Sequence, residues 1–408
     1  MGGRDPHETG RAATALELLY DLVFVVSFAV AGEELAHAVA ADHVSAGVIA
    51  FCMATFSIVW AWINFTWFAS AYDTDDWIYR LLAMVQMIGI TVFALGVPRI
   101  FETVEHGEHV DMRLSVIGYV IMRVGLICQW LRAARQDPAR RRTAMVYVAT
   151  LTVAQIGWVV VSQLQPAVGP MLAMFAVILA VEIAGPVIAE TRFGSTPWHA
   201  HHIAERYGLL AIITLGEGVV GTVAALGAAL GPEGEITTEG WIVVAAGMVM
   251  TFGLWWAYFS VDHAQWLHLE PRKSFGWGYG HFVIYIALAA VGAGLHVVAY
   301  ALEGESEVGD GVVILSMIVP IALFLVALFG IYTYFAPVAD PYHLGLLVVS
   351  AALMVLSYLV ASGGSLLGGV AIAAVVPWVT VLGYETFGHR HQSGQLDRHR
   401  GQEEQAPA

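Results

Sequence analysis

The chemistry of this chain is concentrated in seven ionisable residues that lie inside long apolar stretches: Glu17 and Asp21, Arg123, Glu182, and then Glu205, Arg206 and Glu217. A charge at the centre of a bilayer costs at least ~2.5–3.5 kcal/mol on insertion scales, so such residues face a bundle interior, a partner or a water path. Glu17 and Asp21 stand four apart. They share one helical face and repel unless a cation, a proton or an arginine intervenes. His202 and Arg206 repeat that spacing, and Glu217, eleven residues on, returns to nearly the same direction, so the three form one polar stripe. Arg206 is the expected partner of Glu17 or Asp21, and Arg123 of Glu182. Pro186, after Gly185, is expected to loosen the helix just past Glu182 and expose carbonyls beside that carboxylate.

A second constellation is Trp198-His-Ala-His-His-Ile-Ala-Glu205. Imidazoles and a carboxylate on one short segment are ligand types for zinc or iron, which makes His199, His202 and Glu205 candidate metal ligands, with Asp262, His263, His268 or His281 as further donors. The competing expectation is interfacial histidines that are merely solvated, since the spacing matches no established metal signature. Three function classes follow. The first is a transporter or channel for a small ion or solute, proton-coupled through buried carboxylates and needing no cofactor. The second is an intramembrane metal-dependent enzyme acting on a lipid or prenyl-type substrate. The third is a membrane sensor or assembly protein.

The elements that must position these residues are membrane spans. Of 408 residues, 58% are hydrophobic and 12% charged. Crossing ~30 Å of hydrocarbon takes about 20 apolar residues. Twelve such stretches are expected, at 14–38, 44–70, 77–98, 112–133, 142–163, 168–190, 199–229, 240–264, 275–302, 311–335, 342–361 and 365–388. The fold class is therefore an all-α polytopic transmembrane helical bundle.

Lys and Arg are retained on the cytoplasmic side of short loops. With the N-terminus inside, Arg4, Arg11, Arg80, Arg132, Arg135, Arg140, Arg141, Arg142, Arg192, Arg272, Lys273, Arg390, Arg398 and Arg400 fall on cytoplasmic segments. Only Arg99 and Arg113 fall outside. This predicts a multi-pass protein of the cell membrane with both termini cytoplasmic. The outer loops carry acidic residues, among them Glu33, Glu34, Asp42, Glu102, Glu105, Glu108, Asp111, Glu233, Glu235, Glu239, Glu303, Glu305, Glu307 and Asp310, and much of the net charge of −15. That rim is either a well-solvated surface or a concentrator of cations. The polar first residues and the long, acid-bearing apolar run after them do not read as a cleavable signal peptide. Cys52 and Cys128 fall in different spans and imply no disulfide framework. Partners are the lipid bilayer and a small ion or solute. Nucleic acid has no support, because the Arg140–Arg142 cluster is explained by topology and anionic lipid.

Phe56-Ser-Ile-Val-Trp60-Ala-Trp62 is echoed by Phe252-Gly-Leu-Trp-Trp256-Ala-Tyr258, Tyr79 by Tyr279, and Glu17 by Glu205. The echoes predict two parallel six-span repeats, 14–190 and 191–388, between a cytoplasmic tail at 1–13 and a disordered one at 389–408. Trp77, Tyr79, Trp198, Trp277 and Tyr279 fit interfacial aromatic belts, while Trp60, Trp62, Trp255 and Trp256 fit bundle packing. Gly227-xxx-Gly231, Gly276-xxx-Gly280 and Gly364-xxx-Gly368 permit close helix contact, within the chain or in a homo-oligomer.

Two segments carry a resemblance. Leu16-Glu-Leu-Leu-Tyr-Asp-Leu-Val-Phe-Val25 and His202-Ile-Ala-Glu-Arg-Tyr-Gly-Leu-Leu-Ala-Ile-Ile-Thr-Leu-Gly-Glu217 resemble the two signature segments of the bacterial low temperature requirement A family. The resemblance extends over nearly the whole chain. It implies a multi-spanning membrane protein linked by name to growth in the cold, and it points to Glu17, Asp21, His202, Glu205, Arg206, Gly208, Gly216 and Glu217. It implies no settled substrate or reaction.

Overall fold

The computed structural model describes residues 1–388 apart from 7, 9, 108, 232 and 337–340. The tail at 389–408, with Arg390, Arg398 and Arg400, lies outside the described residues, as does Glu108. Helices α1 (Ala15–Ala40), α2 (Val44–Tyr72), α3 (Trp77–His106), α4 (Arg113–Gln136), α5 (Arg141–Leu164) and α6 (Val168–Phe193) form the first half of the chain. The second contains α7 (Ala200–Ala228), α8 (Thr238–Phe259), the short α9 (His263–Leu269), α10 (Ser274–Glu303), α11 (Asp310–Phe335), α12 (Pro341–Ser362) and α13 (Leu366–Gly383). Twelve described segments are long and apolar enough to span a membrane, the eighth being α8 continued into α9. The described residues contain no strand, only an isolated bridge between Leu230 and Ile236.

The helical state follows from the solvent. Hydrocarbon offers no partner to a free N–H or C=O, so a spanning segment must satisfy its backbone internally. At the ends, side chains take over. Asp76 caps α3 by accepting from Tyr79 N at 3.0 Å, and Arg132 of α4 reaches the same carboxylate at 2.5 Å. Arg132 and the helix N–H hold Asp76 well below the usual carboxylate range. The surface has the inside-out character lipid demands: Leu95 is 68% and Val177 66% exposed, while Trp62, Arg123 and Arg206 are buried.

The helical contacts fall into two compact units, Met1–Glu34 with Ser45–Arg206, and Leu35–Val44 with Tyr207–Ala408. In the first unit, α3 packs on α4, α4 on α5 and α5 on α6. The α3–α4 pair meets backbone to backbone. A Cβ on Gly89 would stand 2.6 Å from Met122 N and 2.7 Å from Gly118 O, and one on Gly125 would stand 2.9 Å from Leu82 O. This close seam fixes the helix that carries Arg123. In the second unit, α10 packs on α11, and α13 on α8 and α12.

Several expectations change. Helix α6 runs unbroken through Pro186. One missing donor is tolerated, and Gly185 serves a close approach to Thr150, whose Oγ1 would lie 2.6 Å from an added Cβ. Of the three Gly-xxx-Gly spacings, Gly276 and Gly280 face Tyr334 and Ile331 of α11. Gly227 and Gly364 meet nothing within 4 Å, and Gly231 and Gly368 meet side chains of their own surroundings. Tyr79 and Trp277 are fully buried core residues instead of belt residues, whereas Trp77 is 70% exposed. The echoed aromatic pairs differ in environment, since Trp60 and Trp62 are buried while Trp255 is exposed and Trp256 bonds Glu385 at 3.1 Å.

Candidate functional site

The charged residues of α1 and the first two turns of α7 meet inside the first unit. Glu17 is oriented by its own helix start: Thr14 N donates to Glu17 Oε2 at 2.8 Å, and Glu17 N donates to Thr14 Oγ1 at 3.3 Å. This reciprocal capping box pins the carboxylate one turn before Asp21. Arg206 answers both. Its Nη1 lies 2.8 Å from Glu17 Oε1 and its Nη2 2.5 Å from Asp21 Oδ1. Trp62 Nε1 donates to the same Asp21 oxygen at 2.7 Å, and the guanidinium sits 5.6 Å from the Trp62 ring centroid, within cation–π range. His202 Nε2 lies 3.2 Å from Glu17 Oε2. All four ionisable side chains are at most 1% exposed.

Two consequences follow. First, the contact set holds two carboxylates and one guanidinium. It carries a net negative charge unless one proton is held among Glu17, Asp21 and His202, and a closed site this dry favours neutrality. Second, the bonding is incomplete: among the described residues, Asp21 Oδ2, Arg206 Nε and His202 Nδ1 are buried with no hydrogen-bond partner. Arg206 Nη1 and Glu17 Oε1 are at ion-pair distance without an aligned hydrogen bond. The site therefore has spare donors and acceptors that a second arrangement of the same groups could use.

The N-terminal residues close one end of this cluster. Arg11 donates to Ala69 O at 3.0 Å and to Ser70 O, capping the C-terminal carbonyls of α2, where a cation is also favoured by the helix dipole. Arg4 N donates to Ala71 O at 2.9 Å. Ala13 N donates to Glu205 Oε2 at 3.2 Å. His199 Nε2 bonds Glu8 O at 2.8 Å, and its Nδ1 accepts from His202 N at 3.2 Å. Burial first, and Arg11 nearby, hold the His199 imidazole below its ordinary value, in keeping with a neutral ring that accepts through Nδ1.

The metal candidates are thus engaged separately: His199 with the N-terminal backbone, His202 with Glu17, and Glu205, which is exposed, with Ala13. No group of three or more His, Cys, Asp or Glu arranged to hold a metal ion occurs among the described residues. The further donors lie in the second unit in other roles. Asp262 caps α9 by accepting from Gln265 N. His263 Nδ1 accepts from Trp277 Nε1 at 3.1 Å. His281 donates through Nδ1 to Trp277 O at 2.8 Å and meets the Tyr258 hydroxyl at 3.1 Å.

Arg123 and Glu182 form a second buried pair in the first unit, at 3.3 Å. Tyr119 OH donates to Glu182 Oε2 at 2.9 Å, and Trp158 Nε1 and Gln155 Nε2 donate to Oε1 at 3.0 and 3.3 Å. Here one cation meets one anion, and every carboxylate oxygen has two donors. A chain of neutral polar residues lies in the same unit: Tyr20 OH donates to Gln86 Oε1 at 3.3 Å, and Gln86 Nε2 to Gln129 Oε1 at 3.0 Å.

Reasoning from ionisable residues alone missed Tyr20, Gln86, Gln129, Gln155 and the donor role of Trp62. The signal was present as glutamines inside apolar spans. Glu217, by contrast, stands apart from these clusters. It belongs to the second unit, is 5% exposed, and has no hydrogen-bond or ion-pair partner among the described residues.

Residues 12–378 match the family model described as bacterial low temperature requirement A protein (LtrA). Neither a curated protein nor a solved structure matches the chain.

Proposed function

We propose that this chain, which belongs to the bacterial low temperature requirement A family of membrane proteins, works as a proton-coupled transporter or channel for a small ion or solute. The observation that carries the reading is the closed Glu17–Arg206–Asp21–His202 cluster, whose charges balance only with a bound proton and whose bonding leaves Asp21 Oδ2, Arg206 Nε and His202 Nδ1 unused. In this mechanism Arg206 is an exchangeable counter-charge. With Asp21 ionised, the guanidinium bridges both carboxylates; with Asp21 protonated, its pull on Arg206 weakens and Glu17 holds the cation alone. Because α1 and α7 each contribute residues to both units, a shift of Arg206 between its two partners acts on helices common to both. The chain works as two parallel six-span halves, 14–190 and 191–388, with both termini cytoplasmic as the basic residues favour.

The test is proton flux into liposomes containing the purified protein and an entrapped pH indicator, with imposed pH and potassium gradients. Wild type should dissipate the pH gradient faster than empty liposomes, and Asp21→Asn should lose most of that flux. Unchanged flux in the combined Asp21→Asn, Glu205→Gln, Glu217→Gln variant would sink the mechanism.

A further inference from the structure

The carboxylate of Glu217 is buried in α7, well inside a membrane-spanning helix, and nothing described pairs with it. The reason is visible in the neighbouring backbone. A Cβ on Gly292 of α10 would lie 2.6 Å from Glu217 Cβ and 2.7 Å from its carbonyl carbon. One turn on, a Cβ on Gly221 would lie 2.7 Å from Gly292 O. Glycine on both helices lets α7 and α10 touch main chain to main chain at this level, and Gly292 itself offers Glu217 no side chain to pair with.

The other side chains near this level are weakly polar. On α7, Thr214 spends its hydroxyl on Leu210 O at 2.7 Å, and Thr222 spends its own on Gly218 O at 2.6 Å. From α8, Thr251 approaches Gly218. The titratable group facing this stretch is His296 of α10, whose Cδ2 would lie 3.3 Å from a Cβ on Gly221. Among these neighbours no arginine or lysine approaches.

We infer that Glu217 is a proton-binding site of the second unit, loaded as a neutral carboxylic acid independently of the Glu17–Arg206–Asp21 cluster. A single carboxylate without cation or metal-like coordination can become neutral in only one way, by taking up a proton. The inference deepens the transport reading above, because it names a second residue whose proton must be released or gained if the two units work in turn.

The experiment is infrared difference spectroscopy of purified wild type against Glu217→Gln at neutral pH, which reads protonation without requiring transport. Loss of a carboxylic-acid carbonyl stretch in the variant is the expected result. Loss of a carboxylate stretch instead would overturn the inference. If Glu217→Gln does not yield folded protein, wild type is treated with a hydrophobic carbodiimide, which adds to carboxylic acids in apolar surroundings, and peptides are mapped by mass. An adduct on Glu217 but not on Glu17 or Asp21 supports the site, and a bare Glu217 overturns it. Absence of proton flux with the acid band present would count against the transport reading alone.

Discussion

The Glu17–Arg206–Asp21–His202 cluster and Glu217 are both buried charge-bearing sites in apolar helices, and both draw on α7, yet they are neutralised by different means. In the first, side chains from three helices converge so that an arginine offsets the carboxylates. In the second, glycines draw two helices together and no partner is supplied. The difference teaches that an ionisable residue in a span has two solutions, a counter-charge held by tertiary structure or a proton. In a paired site, taking up a proton means rearranging the counter-charge, whereas in an unpaired one it is a matter of pH alone. The Arg123–Glu182 pair is balanced in charge, one cation to one anion with both carboxylate oxygens bonded, although Arg123 Nε is buried without a hydrogen-bond partner among the described residues.

The comparison breaks most sharply at Arg206. Arg206→Met leaves two carboxylates without their cation, and removing one partner of a buried ion pair costs about 3–5 kcal/mol. A large drop in the thermal unfolding midpoint in detergent is expected. The triple change Glu17→Gln, Asp21→Asn, Arg206→Met should recover much of it, because a buried set neutralised as a whole is far less costly than one left half paired. A midpoint for Arg206→Met equal to wild type would mean that the cluster is not a closed ion network. Next in size is Glu182→Gln. The variant leaves Arg123 without its anion, but the amide oxygen can still accept from Tyr119 or Arg123, so the loss should fall near the lower end of the about 3–5 kcal/mol that unpairing a buried charge costs. A loss as large as that at Arg206 would place the two clusters in one class.

The spans and the partners of Arg206 and Arg123 were legible because a period of 3.6 and the cost of charge in hydrocarbon constrain them from sequence alone. Four features were not. The α3–α4 seam rests on Gly89, Gly96, Gly118 and Gly125, spaced by seven, which no search for four-residue glycine spacing would find. The role of Pro186 could not be inferred, since a proline's effect depends on what packs beside the helix, and here Thr150 fills the space at Gly185. His199 and Glu205 looked like ligands because residue type says nothing about direction. Their bonds run to the backbone of residues 8 and 13, contacts set by how the N-terminal segment returns onto the end of α2. Finally, the lone state of Glu217 is a property of its neighbours on α10, about 75 positions away in the chain, and a polar stripe on one helix cannot reveal what faces it.

Asp73 supplies the finest test, because it lies just beyond the end of α2, outside the spans, and shows what burial does to a carboxylate without a bonded cation. It is 4% exposed and accepts from Asp75 N at 2.7 Å, while Arg4 and Arg11 act on it only at a distance. Burial pushes it up from 3.8 to about 6. The native protein then keeps a proton that the unfolded chain has already released between those two values, so Asp73 lowers stability progressively as pH rises from about 4 to 6 and no further above that. Asp73→Asn should therefore match wild type near pH 4 and exceed it at pH 7 by about 1 kcal/mol, below the ceiling that a two-unit shift sets. Thermal midpoints at the two pH values check it. Parallel curves would show that Asp73 is already compensated by Arg4 or Arg11, and would place it with the paired sites of the first unit instead of with Glu217.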